Sequence, residues 1–364
     1  MRRRIPDRHI TAAGRRAIGR LWIMFAALVG LFLASFVLGR YDVPMIQVIR
    51  ILLNWVLKPL QNLLDLIFGD AVPVLLEQTW EQNMEIAVIN VRLPRILLAC
   101  MVGCCLATAG ASYQSVFHNP MAAPDILGAS SGACFGAALS ILLGLSKSSI
   151  VLVAFCCSLL TVGLVYVVAT RTRGNIVVSI LLAGTMISSL FSAGTSYIKL
   201  VADPTNQLPE ITYWLMGSLS GTRMEDIRFA VFPMLIGLVP LILLRWRINL
   251  LTLGEEEARA MGVNAMRLRI AVILCATFLT AASVAVSGMI GWVGLVIPHL
   301  CRRLLGNDNR YLLPGSMIFG AMFLLLVDNV SRNLTATEIP IGILTAFVGA
   351  PFFIYLMTRK ERAA

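Results

Sequence analysis

Long apolar runs without charge constrain this chain more than anything else in it. A helix needs roughly 18 or more consecutive apolar residues to cross the hydrocarbon of a bilayer. Residues 21–39, 96–117, 126–146, 148–170 and 174–198 each reach that length with no charged side chain. The run 229–244 is shorter, but its flanking residues can snorkel. Residues 270–298 are too many for one simple span and contain Gly288, Gly291 and Gly294. They are read as a seventh span and a short eighth one ending near Leu305. Runs 311–327 and 339–358 complete ten. The first run is too long for a signal core and lacks a small-residue cleavage site, so it reads as a retained anchor. With 58% hydrophobic and 13% charged residues, no separate soluble domain fits. The expectation is an all-α polytopic membrane protein: a lead over 1–20 and one transmembrane domain over 21–360.

Ten spans put both termini on one side. The segments on that side carry 20 of the 30 Lys and Arg but only 7 of the 19 acids. The positive-inside rule then places both termini in the cytoplasm. The formal net charge of +11 reflects this topology and implies no nucleic-acid partner.

Several chemistries are missing. There is no Gly-x4-Gly-Lys-Ser/Thr phosphate loop, no H-E-x-x-H among the three histidines and no C-x-x-C among the eight cysteines. No catalytic residue and no metal site is therefore expected. Ion-coupled carriers usually keep ionisable groups inside the bilayer. As the spans are drawn, charges stand only at their ends, with Asp328 the nearest candidate. Driving energy would then come from a partner.

The polar stretches between the spans carry the remaining information. Residues 40–95 form an outer segment in which Ile46, Ile49, Leu53, Val56, Leu57, Leu60, Leu64 and Ile67 recur at helical spacing, interrupted by Pro59. That predicts an amphipathic helix or pair at the membrane surface, with Trp55 and Trp80 suited to the interface. Arg92 and Arg95, in VRLPR, are either snorkelling helix-end residues or a basic patch for an acidic partner. In HNPMAAPDILGASSGA, Asn119 and Pro120 end one helix and Asp125 suits the start of the next. Gly128, Gly132 and Gly136 make a small-residue face. The fifth span, rich in Ser and Thr, either packs closely or lines an aqueous path. In the loop 245–269, Gly254, Glu255, Glu256, Glu257, Ala258, Arg259, Ala260, Met261 and Gly262 read as a short exposed helix stopped at Gly262, or as a solvated connector. Around Pro298 and His299 the chain breaks a second time. Two oppositely directed spans that each lead through such a break hint at an inverted repeat.

Taken together, RLPR, QSVFHNPMAAPDILGASSGA, LGEEEARAMGV, GWVGLVIPHLCRRLLG and EIPIGILTAFVGAPFFIYL resemble the FecCD-type permeases, the membrane subunits of ABC importers for ferric siderophores, haem and cobalamin. The likeness spans about 91–360. It implies the inverted-repeat type II ABC importer permease fold, in the bacterial inner membrane. It also implies a second permease subunit, most simply an identical one, together with a cytoplasmic ABC ATPase dimer and a periplasmic or lipid-anchored substrate-binding protein. ATP and Mg would sit on the ATPase, with no cofactor on this chain. By the same resemblance, residues 254–262 match the family's ATPase-coupling helix. Arg92, Arg95 and Arg332 match arginines that meet acidic residues of the binding protein. Asn119–Pro120 and Pro298–His299 match helix-break signature positions. The 40–95 segment looks longer than in cobalamin members. A ferric siderophore is the first-choice cargo, then haem, then cobalamin or an oxyanion such as molybdate. An ion-coupled secondary transporter is the rival class.

Overall fold

The computed structural model describes residues 12–68, 78–172, 176–252 and 255–358, which form helices and turns with no strand among them. α1 (Ala12–Val37) is followed by α2 (Met45–Phe68), one helix that continues through Pro59. α3 (Gln82–Glu85), a π-helical turn (Ile86–Arg92) and α4 (Leu93–Val116) form one continuous rod. A 3-10 turn (Pro124–Leu127) leads into α5 (Ala129–Leu142), α6 (Lys147–Arg171), α7 (Ile176–Val201) and the short α8 (Gln207–Leu215). Then follow α9 (Met224–Leu251), α10 (Glu255–Ala260), α11 (Ala265–Ser287), α12 (Val293–Leu305), α13 (Asn309–Asn333) and α14 (Ile341–Thr358). The two ends of the bundle are called here the α2 end and the α10 end.

Seven helices among the described residues are long and apolar enough to cross a membrane. The ten expected crossings thus resolve into these seven, the shorter apolar α5 and α14, and the 13-residue α12. A count of ten full spans is not reached. The short eighth element does end at Leu305, as expected. α5 and α12 are short because each starts inside the bundle, after an irregular stretch. Such backbone is tolerated at membrane depth only where protein groups surround it.

α4 is the axis. Twenty of its 24 residues are buried, and it is apolar on every side, as a fully enclosed helix must be. α9, α11, α12 and α13 all pack on it. Apolar helices in lipid gain little from burying more apolar surface, so association relies on close packing at small residues. A Cβ added to Gly103 or to Gly320 of α13 would collide with the other's carbonyl oxygen, and one on Gly110 would collide with that of Gly294 in α12. The glycine face of α5 works in the same way. Cβ atoms at Gly132 and Gly136 would meet Thr161 and Cys157 of α6. α4 and α11 run in opposite directions, and each leads through a break into a short helix.

Residues 40–95 place α2 at one end of the bundle, touching α1 and the π-helical turn. Val48 and Ile51 are buried, whereas Ile46, Ile49, Leu53, Val56 and Leu60 form one exposed apolar strip. Over its described side chains α2 is one helix and not a pair. Its turns beyond Asn62 carry no described side chains, so Leu64 and Ile67 lie outside the description.

The Gly103–Gly320 crossing yields a direct test. Gly103→Val should lower thermal stability in detergent by about 2 kcal/mol or more, the cost of overpacking a tight contact. Gly163→Ala is the control, because open space surrounds that glycine. Equal unfolding midpoints for both variants would show that the crossing is looser than described.

Candidate functional site

At the α10 end, six residues of α10 sit between the ends of α9 and α11. The helix stop is a Schellman turn: Val263 N–H donates to the Ala258 carbonyl (2.9 Å) and Gly262 N–H to that of Arg259 (2.9 Å). Gly262 supplies the left-handed φ of +79° that this turn needs, at the position the sequence suggests. Ala258 is fully buried and anchors the helix, while Glu257, Arg259, Ala260 and Met261 are exposed. Gly254 and the side chains of Glu255 and Glu256 lie outside the described residues.

A polar knot ties this region to the axis. Asn249, near the end of α9, donates to Asp308 (2.6 Å) and accepts from the Asn309 amide (2.8 Å) and side chain (2.9 Å). Ser115 of α4 donates to Asn309 (2.9 Å), and His118 bonds the Leu251 carbonyl (2.8 Å). Asp308 caps α13 by accepting from the Arg310 amide, 2.9 Å away. Burial alone would raise its pKa, but the hydrogen bonds from Arg310 and Asn249 outweigh that and hold it below the usual carboxylate value.

At the α2 end, the three arginines singled out in the sequence come together, but they are turned inward. Arg92, Arg95 and Arg332 are each no more than 7% exposed. Arg95 donates to Asp328 (2.8 Å) and to both carboxylate oxygens of Glu338 (2.8 and 2.9 Å). Arg332 Nε lies 3.7 Å from Asp328, and its Nη2 donates to the Ser35 carbonyl, 2.7 Å away. Arg92 donates to the carbonyls of Phe36 and Tyr41. The cluster therefore binds α1, α4, α13 and the 334–340 link to one another. Simple snorkelling does not describe it, and neither does a freely exposed patch. A cavity of about 490 Å3 opens above it, lined by Arg40, Arg92, Arg95, Arg332 and Glu338 among others. Sequence reasoning missed Glu338 as a partner. The i, i+4 spacing of Asp328 and Arg332 was the available clue to the rest.

The two expected helix breaks come out differently. Asn119 accepts from the Met121 amide (2.9 Å), and its carbonyl from Ala122 (3.0 Å), so Asn119–Pro120 forms a turn after α4. Pro298 and His299 do not break a helix. Both lie inside α12, which continues to Leu305. A proline at 298 has no N–H for the carbonyl of Gly294. That carbonyl instead accepts from the Gln114 side chain of α4, 3.3 Å away, so the helix persists. The break falls earlier, at 288–292, where Trp292 takes a left-handed φ of +69°.

A second cavity, of about 750 Å3, lies along α14 and the 288–292 link, walled by Met216, Met289, Trp292, Phe347 and Asp125 among others. Among the described residues, no three His, Cys, Asp or Glu side chains gather as metal ligands. On α7, Thr185, Ser189 and Ser196 bond carbonyls one turn back, so their hydroxyls fit a packed face as well as an aqueous one.

The family model described as the FecCD transport family matches residues 24–359. The molybdate import system permease of Haemophilus influenzae is 42% identical over 275 residues, which is 76% of this chain and 82% of that protein. A probable iron chelatin transport system permease of Helicobacter pylori is 40% identical over 279 residues, 77% of this chain and 84% of its own. Among solved structures, an inward-facing conformation of an ABC transporter assigned to the metal-chelate type is similar with a TM-score of 0.80 and 37% identity. The likeness covers 93% of this chain and 99% of that one.

The buried ionic cluster carries a prediction. Asp328→Asn leaves Arg95 and Arg332 underpaired and should cost about 3 kcal/mol in thermal stability, whereas Arg95→Met combined with Asp328→Leu should cost less than the sum of those two single changes. If the single and double substitutions simply add, the two residues do not act as a pair.

Proposed function

The chain belongs to the FecCD transport family, and from that premise we propose that it is the permease subunit through which an ABC importer takes up a metal chelate, a ferric siderophore first among them. The observation that carries this reading is α10. It is a short helix with exposed charge, anchored by buried Ala258 and standing beside the Asn249–Asp308–Asn309 knot that ties α9 and α13 to the central helix. A partner that pushes on α10 therefore pushes on the axis of the bundle.

In this reading the α10 end faces the cytoplasm, as do both termini. A pair of ABC ATPases, holding ATP and Mg, grips residues 254–262. Their closure moves α9 and α11, and the cavity along α14 is exposed alternately to the two sides. A second copy of the permease completes the path. At the α2 end, a substrate-binding protein docks over the arginine-lined cavity. The arginines there outnumber the acids, so acidic side chains of the partner would be drawn in. Arg92, Arg95 and Arg332 then serve docking from below while holding helices together. An iron chelatin permease and a molybdate permease are both among the similar relatives, and the ferric siderophore is put first because the run Pro124–Gly128, Pro-Asp-Ile-Leu-Gly, resembles that of iron-chelate members.

Proteoliposomes holding the chain, its ATPase and its binding protein test this reading, with ferric siderophore, haem and cobalamin offered in parallel. Uptake should require both ATP and the binding protein. Replacing Glu255, Glu256 and Glu257 with lysine should lower ATP-dependent uptake about tenfold without changing thermal stability. Uptake that ignores ATP and follows an imposed proton gradient would replace this reading with an ion-coupled carrier.

A further inference from the structure

Asp125 is the one charged side chain among the residues that line the 750 Å3 cavity; its neighbours there are Leu, Met, Trp, Ile, Ala, Phe, Pro and Gly. The sequence suggested a helix-end position near the membrane boundary. In the fold it lies deeper. Pro124 packs where a Cβ on Gly294 would stand, and Gly294 in turn touches Gly110 of α4. The Ile126 carbonyl packs in the same way on Gly184 of α7. Gly110 and Gly184 are each about two turns inside the α10 end of their helices, or roughly 10 Å at 1.5 Å per residue.

A carboxylate at that depth is costly unless water or a partner meets it. Asp125 takes one hydrogen bond, from Ser130. Among the described residues no cation pairs with it, and its side chain is open to the cavity. Trp292 lines the same cavity. Its left-handed backbone is strained for a bulky residue, and it is held by the close approach of its side chain to Gly349 and by the Phe353 ring, 6.5 Å away. A carboxylate and a tryptophan that line one otherwise apolar cavity make a site suited to a cation.

Resting on the transport reading above, we propose that Asp125 and Trp292 form a charge-selecting subsite of the path. It favours a chelate that carries an ammonium or guanidinium group and disfavours an oxyanion. The carboxylate separates them, because a single charge a few ångströms away changes the local concentration of opposite ions by about fivefold or more.

The test places a cysteine on the cavity wall, Ala346→Cys, in the full chain reconstituted in proteoliposomes with its partners. Cationic (ethylammonium) and anionic (ethylsulfonate) methanethiosulfonates are compared, and labelling is read at residue 346 by peptide mass spectrometry, apart from the native thiols. Relative to a free thiol, the cationic reagent should be favoured about fivefold. Adding Asp125→Asn, which still accepts from Ser130, should abolish most of that preference, and Asp125→Glu should retain it. A preference unchanged by Asp125→Asn, with ATP-dependent uptake intact, overturns the subsite and leaves the transport reading standing. No labelling by either reagent means a cavity closed to water, which overturns the subsite and removes this cavity from the transport path. Loss of ATP dependence in the parent chain overturns the transport reading itself.

Discussion

Close contact between backbones along α4 is the constraint on which the rest of this structure depends. In lipid an apolar surface gains little by meeting another apolar surface, so helices stay together through short-range packing and satisfied polar groups. α4 provides both. Gly103 and Gly110 let α13 and α12 approach until carbonyls stand where side chains would be. Gln114 takes the Gly294 carbonyl that Pro298 leaves free. One helix thus sets the position of two others and repairs the irregular backbone of one of them.

Polar clusters hold both ends of this axis. Arg95 joins α4 to Asp328 of α13 and to Glu338 beyond it. Ser115 and Asn309 join the other ends of the same two helices. Between these clusters the Gly103–Gly320 crossing keeps α4 and α13 in close contact. α10 hangs on α9 and α11, and α14 borders the larger cavity with the strained 288–292 link. A force applied at α10 and a partner seated over the arginines would therefore act near opposite ends of the α4–α13 pair.

Much of this was legible in the sequence, because a bilayer imposes length and hydrophobicity directly. The long spans, the short eighth helix, the amphipathic α2 and the left-handed stop at Gly262 all follow from patterns within a few residues. What was not legible depends on distant partners. Pro298 looks like a helix breaker until Gln114, 184 residues away, is seen to take the orphaned carbonyl. Arg95 looks exposed until Asp328 and Glu338 arrive from the far end of the chain, and Arg92 until the carbonyls of Phe36 and Tyr41 take its guanidinium. Asp125 looks like a boundary residue because no sequence pattern says that α5 begins two turns inside the bundle.

The central claim is that α10 is where a partner delivers energy. Met261 is exposed at its end, 55% accessible, and can carry a photo-crosslinking side chain without disturbing buried Ala258. Irradiating that variant in its native membrane and identifying the adduct by mass spectrometry is the most direct measurement. The account predicts that residue 261 captures an ABC ATPase, and that the yield changes when ATP is trapped in the complex. Efficient uptake by the variant with no ATPase captured at residue 261 would contradict it.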